Sequence, residues 1–111
     1  MAGGGERVSA LVLPTMFIVL LTYRKPLAEI DRLMNEHVAW LQKNYASGMF
    51  IASGRRVPRT GGVILARTGD LEAVRAAVLE DPFVAHDAAT FEIIEFTASM
   101  TAPGAEVFKL L

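Results

Sequence analysis

From Met16 onward the apolar residues fall into two patterns: short dense runs, and stripes at spacings of three and four. Met16 to Tyr23 (MFIVLLTY) is an unbroken run rich in Ile, Val and Leu, of the length of a strand buried on both faces. Pro26 suits a first helical residue. Leu27, Ile30, Met34, His37, Val38, Leu41 and Tyr45 then form one stripe, with Glu29, Asp31, Arg32, Glu36 and Lys43 largely opposite. Gly48 suits a helix stop. Met49 to Val57 and Gly62 to Thr68 read as two strands. The turn Pro58-Arg59-Thr60-Gly61-Gly62 between them makes a hairpin. Asp70 is placed as the N-cap of a second helix whose buried stripe is Leu71, Val74, Val78 and Ala77. Asp81-Pro82 ends it, because proline disfavours helical geometry in the residue before it. Phe83 to Ala88 reads as a short connection, and Thr90 to Thr97 as the fourth strand.

The order is β-α-β-β-α-β, a ferredoxin-like α+β fold with both helices on one face of a four-stranded antiparallel sheet. A sheet covered on one face should alternate apolar and polar residues. The first and third strands do not. Phe17, Val19 and Leu21 oppose Met16, Ile18 and Leu20, and Val63 and Leu65 oppose Ile64. A second apolar face left in water is a liability. The expectation is a homodimer, or a higher assembly built on it, that packs sheet on sheet as a dimeric α+β barrel.

The chain of 111 residues fits one domain, with 52% apolar residues to fill its core. Residues 1–14, with Ala2-Gly3-Gly4-Gly5, read as a flexible N-terminal extension, 15–99 as the domain, and 100–111 as a C-terminal tail. The tail's apolar end, Val107 to Leu111, is placed to dock on the domain or on a partner. Eleven basic and 12 acidic residues give a net charge of −1, without the basic excess of a nucleic-acid binder. With no cysteine there is no disulfide, thiolate metal site or cysteine nucleophile, which fits a cytoplasmic protein. The apolar run Ala10 to Leu21 is split by Pro14, lacks a cleavage site and leads into a helix. It therefore reads neither as a signal peptide nor as a membrane span.

MFIVLLTYRKPL, EHVAWL, GMFIASGRRVPRTGGVILA and EDPFVAHDAATFEIIEF together resemble the YciI-like (YCII-related) family over Met16 to Ser99. The resemblance implies a small α+β protein in a dimeric barrel, with a His/Asp pair in a pocket. One branch of that family eliminates chloride from chlorinated hydroxyquinols, and most members have no assigned reaction. By motif the histidine falls on His37 and the aspartate on Asp81. Arg55-Arg56 stands where many relatives have a glycine-proline type of turn, a departure that bears on the substrate.

Each candidate has a plain reading beside the functional one. His37, between Met34 and Leu41 on the apolar stripe, packs against the sheet or acts as a general acid or base, since imidazole titrates near neutral pH. Asp81 is a turn residue or the acceptor that orients the His37 ring. Arg55, Arg56 and Arg59 are a solvated hairpin end or a recognition site for a carboxylate or phenolate. Neighbours on a strand point to opposite faces, so at most one of Arg55 and Arg56 faces a given pocket. Ser53 and Thr60 offer hydroxyls. Phe83 and Trp40 wall a pocket or belong to the core, and His86 is a second proton carrier or an exposed loop residue. The hairpin turn lacks the lysine of a phosphate loop. His37 and His86 show no metal-ligand spacing.

Two functions follow. In the first, His37 and Asp81 carry out a lyase- or isomerase-type proton transfer on a small anionic or phenolic compound, with no cofactor. In the second, the dimer is a non-catalytic module that binds a small ligand or a protein. A haem-degrading or monooxygenase role rests on analogy with other dimeric α+β barrels alone.

Overall fold

The computed structural model describes residues 15–67 and 70–109. The leader expected over residues 1–14 and the last two residues of the tail lie outside the described residues.

The dense run forms β1 (Met16–Tyr23). Pro26 N-caps α1 (Leu27–Arg32), one place earlier than a first helical residue; its carbonyl accepts from Glu29 N and Ile30 N. One continuous helix was expected here, but it is jointed at Leu33, where α2 (Met34–Ala46) begins. Leu33 N–H is shared between the carbonyls of Glu29 and Ile30, at 3.3 and 3.1 Å, and the chain stays right-handed through the joint. The buried stripe is Ile30, Leu33, His37, Trp40 and Asn44. It lies to one side of the stripe read from the sequence, and Leu27, Val38 and Tyr45 are exposed. Gly48 ends α2 with φ +86°. Its N–H bonds Tyr45 O and Met49 N bonds Asn44 O, the paired bonds of a Schellman motif.

The hairpin is β2 (Phe50–Arg55) and β3 (Gly61–Arg67). Asp70 caps α3 (Leu71–Leu79) by accepting from Glu72 N at 3.0 Å. The expected connection after Pro82 contains a helical turn, α4 (Pro82–Ala85), and leads into β4 (Ala89–Phe96). All pairs are antiparallel, in the order β2-β3-β1-β4, as the ferredoxin-like pattern requires.

Phe17, Val19, Leu21, Phe50, Ile64 and Ala66 face the helices and pack with Trp40, Val74 and Val78. Each large side chain removed from water there contributes roughly 1.5–3 kcal/mol. Trp40 is anchored by a hydrogen bond from Nε1 to Ala77 O at 2.9 Å, which ties α2 to α3.

The outer face carries a cleft of about 360 Å3 between Met16, Ile18, Leu65 and Phe96 of the sheet and Met100, Ala105 and Phe108 of the tail. The described part of the tail thus lies beside the outer face of its own sheet. Ile94 and Phe96 remain 40% exposed. Among the described residues no helix is long and apolar enough to cross a membrane.

Candidate active site

Asp81 lies at the junction of α3 and α4, where two local rules fix it. The following proline sets it in extended geometry (φ −59°, ψ 125°), and its carboxylate N-caps α4. Oδ1 accepts from Phe83 N at 3.0 Å, and His37 Nδ1 lies 2.8 Å from the same oxygen. An oxygen already accepting a backbone N–H serves His37 best as an acceptor, so Nδ1 carries the proton and donates. Nε2 is then the basic nitrogen, and it has no hydrogen-bond partner among the described residues. Asp81 is fully buried and its Oδ2 has no partner among them either.

The imidazole is clamped in place. It stacks on Phe83 with ring centroids 4.0 Å apart and planes 10° apart, and Trp40 packs at 5.5 Å on a tilt. Tyr23 meets Phe83 edge-on at 5.8 Å. Such ring contacts add roughly 0.5–1.5 kcal/mol beyond the area they bury.

His37 faces a cavity of about 320 Å3 between α2 and the helix-side face of β1, β2 and β3. Leu21, Met34, Val38, Leu41 and Ile64 make its apolar wall, and Tyr23, Ser53 and Arg55 add polar groups. Of the residues proposed from the sequence, His37, Ser53, Arg55 and Phe83 meet at this cavity, with Asp81 behind the His37 ring. Of the two neighbouring arginines it is Arg55 that lines it. Arg56 donates to Thr22 Oγ1 at 3.2 Å, and Arg59 donates to Asp31 Oδ1 at 2.5 Å. That bond, with help from Tyr23 and against the cost of burial, holds the Arg59 guanidinium above its ordinary pKa. His86 is exposed, with its carbonyl accepting from Lys25 Nζ. Trp40 is core, and Thr60 Oγ1 turns back to Pro58 O.

Sequence reasoning missed Tyr23, Met34, Val38 and Tyr45. Met34 and Leu41 lie three before and four after His37, so they share its side of the helix, and Val38 stands four after Met34 and three before Leu41, a signal present in the spacing. Tyr45 reaches the cavity's edge only by its bond to Ser53, with Oη 2.7 Å from Ser53 Oγ, and nothing local announces that pairing. Among the described residues no group of three or more His, Cys, Asp or Glu side chains is placed to hold a metal ion.

The class of protein is a four-stranded ferredoxin-like sheet with a helix-side cavity and a buried His–Asp pair at its wall. Within that class the chain belongs to the YCII-related domain family, which matches residues 16–97, from the start of β1 to just past β4. No curated protein matches the chain. One similar solved structure is 5-chloro-2-hydroxyhydroquinone dehydrochlorinase (TftG) from Burkholderia phenoliruptrix AC1100, in complex with 2,5-dihydroxybenzoquinone. It has a TM-score of 0.62 and 16% identity over 78% of this chain and 95% of that one. Another is SnoaB, a cofactor-independent oxygenase from Streptomyces nogalater. Its TM-score is 0.49 at 23% identity, over 82% of this chain and 98% of that one. At 16% identity the likeness to the dehydrochlorinase is one of fold.

Proposed function

We propose that the protein is a small-molecule enzyme in which His37 moves a proton and Asp81 positions it. The observation that carries this reading is the 2.8 Å bond from His37 Nδ1 to a buried carboxylate, which leaves Nε2 free beside a cavity. In an elimination, Nε2 takes a proton from the substrate carbon next to the one that bears the leaving group. The C–H electron pair becomes the new double bond, and the leaving group departs with its own pair. The imidazolium, stabilised by Asp81, then returns its proton to solvent. An isomerisation uses the same base but returns the proton to a second carbon. Neither requires a cofactor. A solved neighbour of the same fold is a dehydrochlorinase that holds a dihydroxybenzoquinone. A ring of that size suits a cavity of about 320 Å3, near the small end of ligand pockets.

The working unit on this reading is a homodimer that pairs the outer sheet faces, since the tail covers only one end of the apolar surface there.

The test is turnover of a panel of hydroxyaromatic and unsaturated acid substrates by the parent and by His37→Asn. Loss of general base catalysis typically costs about 10²–10⁴-fold. A parent inactive across the panel, or a variant as active as the parent, would count against the proposal.

A further inference from the structure

Ser53 and Arg55 both line the cavity that His37 faces, and a fault in the hairpin puts them there. Phe50 pairs with Ala66 and Ala52 with Leu65, so β2 carries one extra residue, Ile51, against β3. Without that bulge, strict alternation would set Phe50 and Ser53 on opposite faces. With it, Phe50 enters the core while Ser53, opposite Ile64, and Arg55, opposite Gly62, turn to the same side.

The Asp81 carboxylate stands behind the His37 ring and does not line the cavity. Arg55 is the one lining residue with a permanent charge, and none of the lining residues is acidic. Arg24, Arg56 and Arg59 are engaged by Asp87, Thr22 and Asp31. The Arg55 side chain has no hydrogen-bond or ion-pair partner among the described residues. Beside it, Tyr45 Oη lies 2.7 Å from Ser53 Oγ. When Tyr45 donates, the hydrogen of Ser53 is left for a ligand.

We propose that Arg55 and Ser53 form a carboxylate-binding end of the cavity, and that the substrate is a small flat carboxylic acid bound as its anion. The guanidinium fork matches two coplanar oxygens, and Ser53 supplies a third donor. The apolar wall holds the rest of the molecule beside His37. The word substrate rests on the proton-transfer reading above; the binding site does not.

Benzoate is the probe, with benzamide as its neutral isostere and pentafluorophenolate as a one-oxygen anion. Binding to the full chain is followed by calorimetry and by amide NMR. Benzoate is expected to shift the Ser53, Gly54 and Arg55 amides. Arg55→Gln should weaken it about tenfold or more, as loss of a charge-assisted contact does, and Ser53→Ala less. Arg67→Gln should change nothing, since that β3 side chain lies away from the cavity. The proposal is overturned if benzoate binds Arg55→Gln as tightly as the parent, if pentafluorophenolate binds as tightly as benzoate, or if no benzoate binds at millimolar concentration. The two readings fail separately. Arg55-dependent benzoate binding in a parent that turns over no substrate sustains the carboxylate end and defeats the proton-transfer reading. Turnover of uncharged substrates that Arg55→Gln leaves intact does the reverse.

Discussion

His37 and Asp81, 44 residues apart in the chain, meet through one carboxylate oxygen at 2.8 Å, and that oxygen also accepts the backbone N–H of Phe83. The side chain that starts α4 therefore also holds the imidazole. Asp81→Ala removes a helix cap and strands a buried donor, with an expected cost of about 1–3 kcal/mol in denaturant unfolding. Asp81→Ser can restore the cap, but its shorter side chain does not reach His37. It should recover part of the stability and none of the orientation of the ring. Equal stability in the alanine and serine variants would show that the cap contributes nothing.

Phe83 is buried to 1% exposure, with the His37 ring stacked on it and the edge of Tyr23 against it. Phe83→Ala should cost about 3–5 kcal/mol through the cavity it leaves. Phe83→Leu should cost less but remove the flat surface, so any turnover falls more than stability does. Thermal melts beside kinetics separate the two effects.

Gly61 pairs with Thr22 where β3 lies close against β1. A Cβ there would stand 1.8 Å from Leu21 O, whereas one at Gly54 would meet nothing within 4 Å. Gly61→Ala is expected to lower stability by about 1–3 kcal/mol as the strands are forced apart, and Gly54→Ala to leave it nearly unchanged. A Gly61→Ala melt that overlays the parent would contradict the close approach.

The proposed homodimer is open to direct measurement. Light scattering on the parent at micromolar concentration should give twice the chain mass. Ile94→Glu, which puts a charge on the exposed outer face, should shift it toward monomer. A parent that runs as a monomer would remove the basis for pairing the sheets.

Much of the fold was legible because two periods carry it. The double-sided apolar run of β1, the Asp70 cap and the Gly48 stop each state their role locally. The joint at Leu33 and the Ile51 bulge were not legible. Leu33 lies inside an ordinary helical stripe, and Ile51 inside an ordinary strand run, so only the pairing with β3 reveals the extra residue. At the site, His37 and Asp81 were nameable through the family resemblance, but their 2.8 Å contact depends on how α2 packs against the α3–α4 junction. The choice of Arg55 over Arg56 and Arg59 depends on the bulge and on Thr22 and Asp31, partners that sequence does not place.

The most direct measurement is the 15N NMR spectrum of the His37 ring in its neutral form. Asp81 as acceptor requires the proton on Nδ1 and a bare Nε2 turned toward the cavity. A neutral ring with its proton on Nε2 would contradict this, because Nδ1 would then have no hydrogen to give Asp81 and Nε2 no lone pair with which to take a proton.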